Sequence, residues 1–364
     1  MRKLGISIYP EKSTEKEIFD YIHKAKAAGF SRIFSCLLSA NESKEEIKEK
    51  FLRINNFAHQ QGFIVILDIS PKVFDKLNIS YQDLSYFKEL NADGIRLDMG
   101  FSGSEEALMT FNPYDLKVEI NMSMDTHTID TIMDFKPNKF NLLGCHNFYP
   151  HRYSGLSLEH FLKCTDNFAK YGLTTAAFVS SQVKDSFGPW PVTDGLPTLE
   201  MHRNLPIHVQ IKHLVALDKI DDIIISNCYP SQLELDNITN TRTDLVNFNV
   251  ELADNLSEIE RKIILEELHY NRGDISDNFI RSTQSRVKYK QEKFPVKNAS
   301  DIKRGDIIIE SDEYGHYKGE LQVALNDMAN SGKSSVVGKI VAEEVFILDY
   351  LAPWQKFCFQ LSTK

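Results

Sequence analysis

The chain has 364 residues, 42% of them hydrophobic and 26% charged, with a formal net charge of −9. That composition can build a sizeable core and excludes wholesale disorder, and the length suits two domains or one large barrel with an appendage. The acidic balance argues against broad binding of nucleic acid, which needs a basic surface to displace counterions, while leaving room for a local basic pocket around one phosphate.

From the start of the chain to about residue 235, short apolar runs that end in polar or small residues alternate with amphipathic helical segments. The runs predict strands over 4–9, 32–38, 63–69, 94–99, 118–123, 140–145, 174–180 and 222–227. Helices are predicted over 14–28, where Ser13-Thr14-Glu15-Lys16-Glu17 reads as a capped start, and over 43–60, 157–171 and 206–216. Eight strands with intervening helices in this length match a (β/α)8 TIM barrel. A doubly wound open sheet would bring a glycine-rich phosphate turn after its first strand. Here that turn is Tyr9-Pro10-Glu11-Lys12, so the barrel is favoured.

Past residue 240 the texture changes. A helix over 256–268 is followed by predicted strands over 306–310, 317–325, 336–341 and 345–349, separated by turns such as Glu313-Tyr314-Gly315 and Asn330-Ser331-Gly332. This reads as a small, mostly β domain, a closed barrel being one form it can take. The linker is placed at 237–244, a polar stretch rich in Asn and Thr, which gives domains at 1–238 and 245–364.

The five cysteines (Cys36, Cys145, Cys164, Cys228 and Cys358) are scattered and form no C-x-x-C pair, so neither a disulfide framework nor a cysteine zinc site is expected. The apolar run 4–9 is far too short for a signal peptide and no later run can span a bilayer, so the expected location is the cytoplasm. Ser331-Gly332-Lys333-Ser334 resembles the end of a phosphate-binding loop, but Asp327 stands where its first glycine belongs, and a hairpin turn is the better reading.

In a (β/α)8 barrel the chemistry sits at the C-terminal ends of the strands. There the third strand carries Asp68 and the fourth Asp98. The fifth carries Glu119 and Asn121, which share a face because side chains repeat every two residues. An Asp within an apolar strand is costly unless paired or solvated, and two on neighbouring strands can divide acid and base or nucleophile roles in glycoside hydrolysis. Glu119 is the reserve acid. The blander reading makes Asp68 a helix cap and pairs Asp98 with Arg96 or another basic residue.

The sixth strand opens into a loop with His146, Asn147, Tyr149, His151 and Arg152, and the seventh into an unusually long loop, 181–203, with Lys184, Trp190, Glu200, His202 and Arg203. Trp190 offers a flat face to a sugar ring. Arg152, Lys184 and Arg203 are candidates for an anion. Asn121, His146, Asn147 and Tyr149 are candidates for hydroxyl or acetamido groups. Metal binding competes for such residues but usually gathers several histidines, and neither a His-x-His on the first strand nor a His-Glu-x-x-His is present, so no metal and no cofactor are expected.

Four segments carry a family resemblance: Asp68-Ile69-Ser70-Pro71, residues 94–101 (Gly-Ile-Arg-Leu-Asp-Met-Gly-Phe), Cys145-His146-Asn147-Phe148-Tyr149-Pro150 and residues 199–206 (Leu-Glu-Met-His-Arg-Asn-Leu-Pro). In them the chain resembles the 6-phospho-N-acetylmuramidase (MupG-type) family, long catalogued as a domain of unknown function or as putative outer surface proteins. The resemblance spans essentially the whole chain. It implies a cyclophilin-like β-barrel at the C-terminus and intracellular hydrolysis of the β-1,4 bond in N-acetylmuramic acid 6-phosphate–N-acetylglucosamine during peptidoglycan recycling. The partner is then a small phosphorylated disaccharide, with no nucleic acid and no membrane, and Glu200 within the last motif joins the candidate binding residues. Two rivals remain open at this point: a metal-dependent barrel hydrolase of another small anion, and a non-catalytic phosphosugar-binding protein.

Overall fold

The computed structural model describes residues 2–37 and 43–362, so Leu38, at the end of the second predicted strand, lies outside the described residues. The chain forms two compact units. One runs to Leu214 and resumes at Lys219–Asn240; the other comprises Val215–Asp218 and the chain from Thr241 onward. No helix among the described residues is long and apolar enough to cross a membrane.

In the first unit eight parallel strands close on themselves: β1 (Lys3–Ile8), β2 (Arg32–Cys36), β3 (Ile64–Ile69), β4 (Gly94–Leu97), β5 (Lys117–Asn121), β6 (Leu142–Cys145), β7 (Thr174–Val179) and β8 (Asp222–Ile225). Pairing of Gly5 with both Arg32 and Ile224 joins the first strand to the second and the last, which an open doubly wound sheet cannot do. The strands read as near-continuous apolar runs because both of their faces are buried, one against the barrel interior and one against helices. Gly94 opens β4 for a steric reason: a Cβ there would sit 2.7 Å from the Lys117 carbonyl of the next strand.

The helices α1 (Glu15–Ala27) and α2 (Lys44–Gln60) start as capping boxes, Thr14 with Glu17 and Ser43 with Glu46. In α1, Ile18, Tyr21, Ile22 and Ala25 form the buried stripe at helical spacing. The predicted helix over 157–171 corresponds to α7 (Leu158–Ala169) and that over 206–216 to α8 (Ile207–Leu217). Between α2 and α7 lie four short helices: α3 (Pro71–Leu77), α4 (Ser85–Glu89), α5 (Ser104–Met109) and α6 (Thr128–Asp134). The stretch placed as a linker begins inside a helix: α9 spans Gln232–Thr239, capped by Ser231 with Glu234 and seated on buried Leu235 and Ile238.

The second unit is a seven-stranded, mostly antiparallel sheet in the order β10-β15-β9-β14-β12-β13-β11. Its strands are β9 (Val246–Leu252), β10 (His269–Tyr270), β11 (Phe279–Ser282), β12 (Asp306–Glu310), β13 (Leu321–Ala324), β14 (Ser334–Ile340) and β15 (Lys356–Leu361). Just past β10, Arg272 N–H donates to the Arg281 carbonyl of β11 at 3.0 Å, so the two sheet edges almost meet. Helix α10 (Glu258–Glu266) lies within the predicted 256–268.

Two expectations for this unit are corrected. Residues 345–349 are not a strand but part of a 3₁₀ segment, Ala342–Tyr350, in which Glu344, Ile347 and Leu348 are buried, a spacing of three to four rather than two. The turn at Ser331-Gly332 is not a hairpin either, because it leads from β13 to β14 and these flank β12 instead of pairing. Strands β9, β10, β11 and β15 lie outside the predicted set.

Candidate active site

Register fixes which side chains meet inside the barrel. Asp68 on β3 pairs with Arg96 on β4, and Arg96 with Glu119 on β5. Asp98, two residues beyond Arg96, falls on the same face just past the strand end, as does Asn147 two residues beyond Cys145. Asp68, Arg96, Asp98 and Asn147 line a cavity of ≈ 280 Å³ with Phe148, Tyr149, Pro189 and Trp190. Its floor is aromatic, since the Phe148 ring packs edge-on against Phe34 and Phe178, with centroids at 5.9 and 5.0 Å. A larger cavity, ≈ 500 Å³, opens at the other end of the barrel among Lys3, Arg32, Lys117 and Asp222. That is the N-terminal end of the strands, where this architecture places stability rather than chemistry.

One guanidinium organises the upper cavity. Arg96 Nη1 donates to Asp68 Oδ1 at 2.6 Å and to Asp98 Oδ1 at 3.5 Å, while Nη2 donates to Asn147 Oδ1. Those two distances put the two carboxylate oxygens no more than about 6 Å apart, close enough for both to reach one glycosidic bond. The two acids differ in access: the Asp68 side chain is 4% exposed and that of Asp98 38%. Burial pushes the Asp68 carboxyl up to about 7, with Arg96 opposing the rise and the charge of Asp98 adding to it. Asp68 is therefore poised to gain or lose a proton near neutral pH, beside a second, more accessible carboxylate. The Asp98 backbone is fixed in turn by Asn121, whose Nδ2 donates to the Asp98 carbonyl at 3.1 Å while its Oδ1 accepts from Ser123 N–H at 2.9 Å.

The long loop after β7 is tied at several points. Phe187 exchanges two backbone hydrogen bonds with Cys228, at 2.7 and 2.9 Å. Thr198 Oγ1 donates to the Asn147 carbonyl at 2.8 Å, and Tyr149 N–H to the Pro197 carbonyl at 3.1 Å. Between these ties Pro189 and Trp190 reach the cavity, with Trp190 46% exposed. Lys12, in the loop after β1, donates to the Trp190 carbonyl at 3.4 Å.

Asp68, Asp98, Asn147, Tyr149 and Trp190 thus come together at the cavity; the remaining sequence candidates do not line it. Glu119 is fully buried and ion-paired to Arg32, whose Nη1 also holds Asp222 at 2.6 Å, so its charge is consumed within the barrel. His146 is buried between Ser123 Oγ (3.2 Å) and Thr165 Oγ1 (2.9 Å), stacked on Phe161, and burial pushes its imidazole down to about 3, leaving it neutral. Arg203 spends all five guanidinium donors on the protein: two on Glu200, two on the carbonyls of Asp194 and Gly195, and one on the Tyr149 carbonyl. Glu200 also accepts from the N–H groups of Tyr153 and Gly155, so the Glu200–Arg203 pair clamps the loops after β6 and β7. Arg152 and Lys184 are exposed, and Arg152 Nε lies 3.1 Å from Asp194. Arg96, at the centre of the site, is not among the sequence candidates; the alternation Arg96-x-Asp98 beyond Asp68 is the signal that points to it. Among the described residues no group of three or more His, Cys, Asp or Glu is arranged to hold a metal ion.

Residues 4–240 match a family described as 6-phospho-N-acetylmuramidase, N-terminal, and residues 246–360 one described as 6-phospho-N-acetylmuramidase, C-terminal. A solved structure of an uncharacterized B. cereus protein shares 46% identity over 99% of both chains, with a TM-score of 0.91. A conserved protein of unknown function from Enterococcus faecalis shares the fold at 22% identity, covering 99% of this chain and 96% of that one, with a TM-score of 0.70. A comparison with curated proteins finds no match.

Proposed function

The chain belongs to the 6-phospho-N-acetylmuramidase family, a family of glycosidases, and we propose that it hydrolyses the β-1,4 bond of N-acetylmuramic acid 6-phosphate–N-acetylglucosamine in the cytoplasm, as a step of peptidoglycan recycling. The observation that carries this reading is the pair of carboxylates, Asp68 and Asp98, held on one guanidinium at the mouth of the barrel. One of them has a proton to give near neutral pH, and the other is open to a bound sugar. On this reading Asn147 and Tyr149 meet the sugar's hydroxyl or acetamido groups and Trp190 covers a ring face. Arg152 and Lys184, on the exposed loops, answer the 6-phosphate and the lactyl carboxylate. The reaction requires no cofactor.

The residues 1–238 hold the chemistry in this proposal, and 245–364 form a cyclophilin-like barrel; the almost closed seven-stranded sheet supports that description. The test is turnover of the phosphorylated disaccharide against its unphosphorylated form. Strong preference for the phosphorylated sugar is expected, together with loss of turnover in Asp68→Asn and Asp98→Asn. Equal turnover of both sugars would sink the phosphate-recognition part, and full activity in both variants would sink the site.

A further inference from the structure

We propose that the glycosidic bond is cut with retention of configuration, Asp98 attacking the anomeric carbon and Asp68 serving first as acid and then as base. This rests on the reading above that the phosphorylated disaccharide is the substrate.

Two features of the geometry point to these roles. Inverting pairs stand about 6.5–9.5 Å apart to leave room for a water, whereas retaining pairs stand about 5–5.5 Å apart. The Asp68 and Asp98 oxygens that share Arg96 Nη1, at 2.6 and 3.5 Å, can stand no more than about 6 Å apart, short of the inverting range. Access then assigns the roles. A nucleophile must reach the anomeric carbon, and Asp98 is the carboxylate that projects past its strand into open space, while Asp68 is sunk in the wall with only a proton to offer.

In the first step an Asp98 oxygen bonds to C1 of the N-acetylmuramic acid 6-phosphate. The C1–O4 bond breaks with its electron pair on O4, and O4 takes the proton from Asp68 as N-acetylglucosamine leaves. In the second step water bonds to C1 and gives a proton to Asp68, while the C1–Asp98 ester breaks and its electron pair returns to Asp98. The shared arginine suits this exchange. The groups facing Asp68 are Arg96 on β4 and Asp98 just past it, Glu119 from β5, Cys36 from β2 (Sγ at 4.0 Å) and Tyr9 just past β1. Of these only Asp98 changes charge during the reaction. Once esterified, Asp98 no longer opposes ionisation of Asp68, and Arg96 is left facing Asp68 alone. The residue that gave a proton in the first step is thereby readied to accept one in the second.

The wild-type reaction followed by proton NMR within the first minutes should show β-configured N-acetylmuramic acid 6-phosphate before mutarotation. Azide rescue then separates the roles. Asp98→Gly with azide should release the α-glycosyl azide, since azide attacks in place of the missing nucleophile, and Asp68→Gly with azide the β-glycosyl azide. An α product from the wild type overturns retention. A β-azide from Asp98→Gly, or no azide product from that variant in folded form, overturns Asp98 as nucleophile, the latter pointing to the substrate's own acetamido group. The NMR arm needs no variant, so a misfolded Asp68→Gly leaves retention decidable. Failure of the wild type to cleave the disaccharide at all would instead remove the functional reading, and this inference with it.

Discussion

Replacing Arg96 with Met should move the basic limb of the pH–rate profile upward. In the wild type the Asp68 carboxyl is pushed up to about 7 by burial, with Arg96 at 2.6 Å the largest influence in the opposite direction. An opposite charge at this range is worth about 1–3 pKa units, so its removal should carry the limb from about 7 to roughly 8–10. Above its limb, kcat/KM should fall about tenfold per pH unit as the acid is lost. Arg96→Lys retains a charge but not the fork that holds Asp68, Asp98 and Asn147 together. Its limb should stay within about one unit of wild type while kcat drops by roughly a hundredfold from misplacement. Stability supplies an independent readout. Asp68 has a folded pKa above its unfolded value of about 4, so its contribution is fully present below that value and is lost as pH rises through about 7. In Arg96→Met the loss should extend to higher pH, steepening the fall in unfolding free energy between about pH 7 and 9. The assay is release of N-acetylglucosamine from the phosphorylated disaccharide from about pH 5 to 10, with urea unfolding over the same range. A limb that stays near 7 or moves down in Arg96→Met would refute the reasoning.

Three further outcomes are expected. Glu119→Gln removes one of the two counter-ions of buried Arg32 and should cost about 3–5 kcal/mol in urea unfolding, with turnover of the folded fraction reduced less than about tenfold; Asp98→Asn should instead cost about 10²–10⁴-fold in kcat. A large loss of turnover in Glu119→Gln at unchanged stability would return Glu119 to the chemistry. Arg203 holds the Glu200 carboxyl down to about 2, so this group contributes stability above its unfolded value of about 4.3 that is lost as pH falls through about 2. Glu200→Gln should therefore lower unfolding free energy by about 2–3 kcal/mol at neutral pH, with the gap to wild type narrowing as pH falls from about 5 to 2. Trp190→Ala removes the exposed ring at the cavity mouth and should raise KM by about fivefold, equivalent to about 1 kcal/mol, with kcat little changed.

The barrel was legible because local signals agree with the fold at each step. Apolar runs mark strands buried on both faces, and capping boxes such as Thr14 with Glu17 mark where helices begin. The second unit was less legible because it depends on distant pairing. In β9, Val246-Asn247-Phe248-Asn249-Val250 alternates strictly, but asparagine is poor in strands. What makes the strand hold is parallel β15, over a hundred residues later, whose Gln360 donates to Asn249 at 2.6 Å and accepts from Asn247 at 2.8 Å. Residues 345–349 misled in the opposite direction: the apolar run suggests a strand. The buried Glu344, which accepts from Asn249 N–H at 2.7 Å, ties the start of that segment to β9, and a turn-like coil then buries Ile347 and Leu348.

Within the site, strand-end position singles out Asp68 and Asp98 as candidates and keeps Glu119, which obeys the same rule of alternation, in reserve. The difference is which arginine each acid meets, and that is set by strand register across the barrel. Among the described residues, Arg32 and Arg96 lie inside the barrel, and each is shared by two carboxylates from different strands or depths. Arg32 binds Glu119 and Asp222, whose side chains are only 0% and 7% exposed although Arg32 and Asp222 line the cavity at the N-terminal ends of the strands. Arg96 binds Asp68 and Asp98, and there one carboxylate is 38% exposed beside a cavity. A sealed set satisfies its own charges and stabilises the fold only as long as every member stays; an open set has a member free to exchange its partner for a substrate atom. Composition and spacing are nearly the same in the two cases. An exposed carboxylate at the C-terminal ends of the strands, where residues of the loops after β6 and β7 line the cavity, is what makes one set a candidate for catalysis and leaves the other structural.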